Sequence, residues 1–307
     1  MKIAIAGSGA LGSSFGYMLK KGGHEVTLID FWEEHIRTVQ DEGLTVDFNG
    51  KTENIEIPMD KPENIDDRFD AVFIFTKSMD LRGMLEAIEH IISKDTKVIC
   101  LLNGLGHADT LSEYVPTENI IMGTTVWTAG LDAPGKAHLM GEGPVEIQEV
   151  DPEGKEATLE MVKVMKDSGL NAVYSSDVHF TTWRKACVNG TMNALSALLD
   201  ANIEELFKSE QTKVIIEEII AEFALAAKLD GVELDEEEIT NYVVDISKKL
   251  GAHYPSMHQD IANRRPTEID FLNGIVTEMC ESNGYSAPNC RLITQLIHAK
   301  EDTLGIA

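Results

Sequence analysis

The chain opens with an apolar run, Lys2–Ala6, that ends in Gly7-Ser8-Gly9-Ala10-Leu11-Gly12 and passes straight into a segment with helical spacing. Few folds accept that order. A short apolar run closed by glycine reads as a strand buried on both faces. From Ala10 to Lys21, the residues Leu11, Phe15, Met18 and Leu19 fall on one helical face, and Gly22-Gly23 stops the helix. In such a turn Gly7 permits the sharp reversal, Gly9 lets backbone approach a ligand's phosphates, and Gly12 lets strand and helix pack closely. The helix N-terminus presents its N–H groups to an anion. Strand, G-x-G-x-x-G and helix together are the fingerprint of a Rossmann dinucleotide site, with Gly7, Ser8, Gly9, Ala10, Leu11 and Gly12 as expected contacts. A purely structural turn with incidental glycines is the alternative.

A second strand, Glu25–Ile29, ends at Asp30, 18 residues after Gly12. A carboxylate there accepts hydrogen bonds from the adenine ribose and repels a 2′-phosphate, which favours NADH over NADPH. Capping the helix expected over residues 32–42 is the other role open to it. A third strand, residues 71–75, leads to Thr76-Lys77 at the same sheet edge. Lys77 is a candidate for cofactor phosphates or for Asp30, or else a solvated lysine. A fourth, residues 97–102, leads to Asn103-Gly104-Leu105-Gly106. Asn103 there can bind nicotinamide, ribose or substrate, or serve as a left-handed turn residue.

Strands alternating with helices, including one over residues 81–92, imply a parallel sheet covered on both faces. Residues 120–128 and 144–150 read as later strands that extend it with mixed direction. After about Ser176 the pattern turns helical, over 183–199, 203–229, 236–250 and 267–283. The expected architecture is α/β: a Rossmann domain over 1–176 and an all-helical substrate and dimerisation domain over 177–307, with the active site in the cleft between them.

Composition narrows the function. A net charge of −26 excludes the basic footprint that nucleic acid or an anionic membrane requires. An acidic substrate would have to be captured by isolated cations. Cys100, Cys187, Cys280 and Cys290 are scattered without metal-ligand spacing, which fits reduced thiols in the cytoplasm and no metal. The apolar N-terminal run is too short for a signal peptide or a membrane span.

Two polar constellations stand out in the helical half. Lys185, Asn189 and Asn193 recur at i, i+4 and i+8, so they share one helical stripe among small and apolar residues. Facing inward they need a polar ligand; facing outward they are a solvated stripe. The second constellation runs through Ser256-Met257-His258-Gln259-Asp260 to Thr267-Glu268-Ile269-Asp270. It reads as a loop entering a helix at Pro266 or Thr267, where Glu268 would complement the helix dipole.

GSGALG, Asn103-Gly104 with Gly106, K-x-x-x-N-x-x-x-N at 185–193, SM-x-QD at 256–260 and TEID at 267–270 before Asn273-Gly274 occur in order along the whole chain. In this the chain resembles the ketopantoate reductase (2-dehydropantoate 2-reductase) family. The resemblance implies an NAD(P)H-dependent reduction of a 2-oxo acid, with 2-dehydropantoate as substrate. It makes Lys185 the catalytic residue that protonates the forming alkoxide and Glu268 its acidic partner. It places Asn103, Asn189, Asn193 and Ser256 on the substrate's polar groups or the nicotinamide end. The chemistry is coherent, since hydride delivered to a ketone carbon leaves charge on oxygen that an ammonium stabilises.

Two residues depart from the family pattern. Ala194 replaces the usual Pro, and while the resemblance favours NADPH, Asp30 stands where NADPH-using members carry a cation. Both resemble an NADH-dependent D-2-hydroxyacid (D-mandelate type) branch that takes branched or aromatic 2-oxo acids. A non-catalytic sensor of dinucleotide redox state is a further alternative, disfavoured by Lys185 and Glu268 together. Dehydrogenases of β-hydroxyacids or 6-phosphogluconate share the two-domain layout but not these patterns. A homodimer is expected.

Overall fold

The computed structural model describes residues 1–141 and 143–306. It forms two compact units, one from Met1–Leu102 with His107–Val178, the other from Asn103–Gly106 with the chain from His179 onward.

The first unit is built on an eight-stranded sheet. In chain order its elements are β1 (Lys2–Ala6), α1 (Ala10–Lys21), β2 (Glu25–Ile29), α2 (Glu33–Glu42), β3 (Leu44–Phe48), β4 (Lys51–Ile55), β5 (Met59–Asp60), β6 (Ala71–Ile74), α3 (Leu81–Ile88), β7 (Lys97–Cys100), α4 (His107–Ser112), β8 (Ile120–Thr125), β9 (Thr128–Ala133), β10 (Lys136–Met140), β11 (Val145–Glu149), α5 (Lys155–Asp167) and β12 (Ala172–Tyr174). The sheet order is β12-β11-β8-β7-β6-β1-β2-β5. All pairs are parallel except β8 with β11, which is the mixed direction expected for the later strands.

Alternation along each strand separates the two faces. Ile3 and Ile5 of β1 pack with Phe15 and Leu19 of α1 on one face, while Ala4 and Ala6 pack with Leu81, Leu85 and Ile88 of α3 on the other. Full burial of each large apolar side chain contributes about 1.5–3 kcal/mol. This two-sided burial is why the strands read as continuous apolar runs.

A second sheet, β4-β3-β10-β9, lies against α1 and was not expected. Its strands are only half-buried: β4 reads KTENI and β10 reads KAHLM. Period-2 patterns this polar carry little strand signal.

The second unit is helical, with α6 (Val178–Leu199), α7 (Ile203–Leu206), α8 (Glu210–Leu229), α9 (Glu236–Leu250), α10 (Ser256–Ala262), α11 (Asn273–Ser282) and α12 (Pro288–Leu304). The single helix expected over 203–229 is two. Ser209 accepts the Thr212 N–H at the start of α8, a local cap that restarts the helix. The helix expected from Thr267 is also interrupted. Ile269–Phe271 form a single 3-10 turn, and α11 begins only at Asn273. Trp183, Ile219, Phe223, Val276 and Ile297 lie in one continuous core. No helix among the described residues is long and apolar enough to cross a membrane.

Candidate active site

At the glycine loop each glycine has its own physical reason. Gly7 has φ +85°, and a Cβ there would lie 2.5 Å from the Thr76 nitrogen. A Cβ on Gly12 would collide with the Gly7 carbonyl. Gly9 differs, because a Cβ there would meet no protein atom within 4 Å. Packing therefore requires glycine at positions 7 and 12, whereas at position 9 the open space lies where a ligand would approach. The first turn of α1 begins with the Ser13 N–H donating to the Gly9 carbonyl, 2.9 Å. The N–H groups of Ala10, Leu11 and Gly12 precede that ladder, and Gly9 offers them no side-chain cap. The Thr76 hydroxyl is buried beside Gly7 with no hydrogen-bond partner among the described residues. An uncapped helix start, an open Gly9 and an orphan hydroxyl suit a dinucleotide pyrophosphate.

Ser8 is engaged within the protein. Its hydroxyl donates to the Ile5 and Ile29 carbonyls and accepts the Ile29 N–H, all within 3.2 Å. It ties the loop to the end of β2. Sequence reasoning missed the group beneath it, the fully buried His35 on α2. The Gly135 N–H donates to its Nδ1 at 2.8 Å, so Nε2 carries the proton and faces the Ser8 carbonyl at 3.0 Å. Burial lowers the pKa of this imidazole. A histidine on an exposed-looking helix gave no sign of this contact.

Asp30 follows β2. Its Oδ1 accepts the N–H groups of Phe31 and Trp32, at 2.8 and 3.0 Å, ahead of α2 at Glu33. Its Oδ2 has no protein partner among the described residues. The residue thus caps a turn and still presents one carboxylate oxygen. Lys77 is half-buried in the turn after β6.

In the second unit a small pocket is lined by Asn103, Asn189, Asn193, Ser256 and Glu268, with Asp260, Met257 and Leu272 completing it. Five residues singled out from four separate motifs thus meet. Asn189 and Asn193 come from α6, Ser256 opens α10, and Glu268 stands just before the 3-10 turn. Asn103 joins them because its segment docks on that turn. The Leu105 N–H donates to the Phe271 carbonyl at 3.0 Å, and a Cβ on Gly104 (φ +96°) would lie 2.7 Å from that same oxygen. Gly104 and Gly106 carry the left-handed backbone, not Asn103, so a turn role does not account for the amide.

Lys185 lies two helical turns before Asn193 on α6. Burial pushes its ammonium down to about 8, and the Glu268 carboxylate is the charge that opposes the shift. Asp260 is the polar lining residue that sequence reasoning left without a role. It is 3% exposed and paired with Arg265 Nε at 3.0 Å. Its place one turn after Ser256 on α10 was the available signal.

The family model for ketopantoate reductase (PanE/ApbA) matches residues 3–152, and the model for the C-terminal part of the same family matches 177–301. The chain belongs to the ketopantoate reductase family. The 2-dehydropantoate 2-reductase of Streptococcus pyogenes is 50% identical over 307 residues, with 100% of both chains covered. That of Lactococcus lactis is 44% identical, with 99% of each covered. Among solved structures, a D-mandelate dehydrogenase bound to NADH and anilino(oxo)acetate is 44% identical, with a TM-score of 0.96 over 100% of both chains. Relatives named for two different substrates thus share this fold at similar identity.

Proposed function

We propose that this ketopantoate reductase family member reduces 2-dehydropantoate to pantoate with a nicotinamide dinucleotide bound at the glycine loop. The observation that carries the reading is the Lys185–Glu268 pair beside a pocket of amides and a hydroxyl, in a chain half identical to named 2-dehydropantoate 2-reductases. A bound reduced nicotinamide supplies hydride to the ketone carbon. Lys185 Nζ holds the proton that the carbonyl oxygen needs as charge develops on it. Its lowered pKa makes that proton easier to give than an ordinary lysine's. Asn103, Asn189, Asn193 and Ser256 bind and orient the substrate's hydroxyl and carboxylate. Glu268 keeps the ammonium protonated and fixes the site's polarity. Capture of a 2-oxo acid by a chain of charge −26 rests on the lysine. All four cysteines are free and buried, which supports a reducing cytoplasm.

A second reading is favoured by Asp30 and by the D-mandelate dehydrogenase relative. In it, the same chemistry runs with NADH on branched or aromatic 2-oxo acids. The deciding experiment is a matrix of initial rates on purified protein, with NADH and NADPH against ketopantoate, 2-oxoisovalerate and benzoylformate. The first reading requires the highest kcat/KM on ketopantoate. Preference for benzoylformate or 2-oxoisovalerate with NADH replaces it with the second. No turnover on any of them removes both.

A further inference from the structure

Glu268 belongs to no regular element, because α10 ends at Ala262 and α11 begins at Asn273. Backbone between elements is ordinarily the most mobile part of a fold, yet a site of this kind needs its carboxylate held to a fraction of an ångström. The hold comes from one face of α12. On one side of Glu268, the buried Thr267 N–H donates to Glu301 Oε1 at 2.8 Å. On the other, Asp270 Oδ1 lies 2.9 Å from His298 Nε2. The chain closes on itself, because His298 Nδ1 lies 3.1 Å from Glu301 Oε2. Gly274 leaves room for this arrangement, since a Cβ there would lie 3.2 Å from Asp270 Oδ1.

We infer that His298 and Glu301 are positioning residues for Glu268, clamping the backbone on both sides of it and so setting where its carboxylate lies relative to the Lys185 ammonium. The inference rests on the reading of Glu268 as the partner of Lys185. Carboxylate oxygens only accept, so the imidazole binds both neighbours only when both its nitrogens carry protons. Burial works against that charge, but Asp270 and Glu301 outweigh it and raise the His298 pKa. The exposed half of the clamp adds little to folding, because the His298 and Asp270 side chains are 45% and 60% exposed. What it adds is register: α12 is spliced to both flanks of a residue that α12 does not touch in sequence.

The test is a double-mutant cycle on the full chain, with kcat for ketopantoate reduction, NADH affinity by fluorescence titration, and the melting midpoint all measured. His298→Ala is expected to lower kcat about tenfold, the scale of a small misplacement of a catalytic group. NADH affinity and the melting midpoint should stay essentially unchanged. In a Glu268→Gln background the same change should cost less than about twofold, because the group it positions is already disabled. Glu301→Gln keeps an oxygen for the Thr267 N–H and should show a smaller loss of the same kind. An equal loss in both backgrounds would mean that His298 only supports the fold, and the clamp is overturned. Normal kcat in His298→Ala beside an impaired Glu268→Gln overturns the clamp and leaves the role of Glu268 standing. Normal kcat in Glu268→Gln overturns both.

Discussion

The Glu268 carboxylate acts on Lys185 against the desolvation that brings the buried ammonium down to about 8, so burial and a neighbouring charge pull this one lysine in opposite directions. With Lys185 as the proposed proton donor, that balance sets the pH dependence of the reaction. Reduction needs the ammonium, which is present at low pH and lost as pH rises through about 8. The kcat/KM for reduction should therefore fall above that point, since it reports the free enzyme. Oxidation of the 2-hydroxy acid needs the neutral amine and should rise through the same range. Removing the opposing carboxylate with Glu268→Gln should move both midpoints to lower pH. A midpoint that stays put or moves up would show that Glu268 does not act on the lysine electrostatically.

Burial of that cation also costs stability. The folded pKa lies below the ordinary lysine value, so between the two the unfolded chain binds more protons. Stability should therefore rise with pH from about 8 upward. Lys185→Met keeps the length of the side chain and discards the charge. Turnover should fall at least about 10²-fold, the lower end for loss of a general acid. The melting midpoint should rise by about 2–4 °C for each ~1 kcal/mol gained. A lower midpoint would mean that its partners hold the ammonium so well that it stabilises the fold.

The glycine loop allows folding and binding to be separated. Gly12 faces the Gly7 carbonyl with no space for a methyl group, whereas Gly9 faces open space. Gly12→Ala should lower the melting midpoint and cofactor affinity together. Gly9→Ala should leave the midpoint within about 1 °C and still weaken NADH, because the methyl group enters the approach path of the pyrophosphate. Unchanged NADH affinity in Gly9→Ala would place the phosphates elsewhere.

Much of this was legible where local pattern and burial coincide. β1, α1 and β2 are continuous apolar or amphipathic segments, the first two closed by glycine and the third by Asp30, and they stand where the pattern puts them. The polar pocket residues were visible as motifs of the family that the chain resembles, whereas helical spacing alone left the lysine and its two amides open to a solvated stripe. What local pattern could not supply was long-range pairing. Residues 103–106 belong to the helical unit, where the Leu105 N–H donates to the Phe271 carbonyl. The helix α12 begins with a start signal at Pro288 and buries Cys290, Ile293, Ile297 and Glu301 along one face, but the helical pattern was followed only to 283. Its contribution to the site runs through Glu301 and His298, polar side chains whose partners lie some 30 residues back in sequence.

Cofactor choice turns on Asp30, and its geometry shows how to isolate the relevant oxygen. Oδ1 is committed to the Phe31 and Trp32 N–H groups, so alanine would remove a turn cap along with the charge. Asp30→Asn keeps an oxygen for those two N–H groups and removes only the negative charge that a 2′-phosphate would meet. If Oδ2 reads the adenine ribose, Asp30→Asn should hold its melting midpoint, weaken NADH, and shift the NADPH-to-NADH ratio of kcat/KM toward NADPH by about tenfold or more. That factor corresponds to ~1.4 kcal/mol of relief from charge repulsion. Asp30→Ala should shift the ratio similarly but with a lower midpoint. A ratio unmoved by asparagine would reduce Asp30 to a turn residue, and nicotinamide preference would then have to be sought beyond the end of β2.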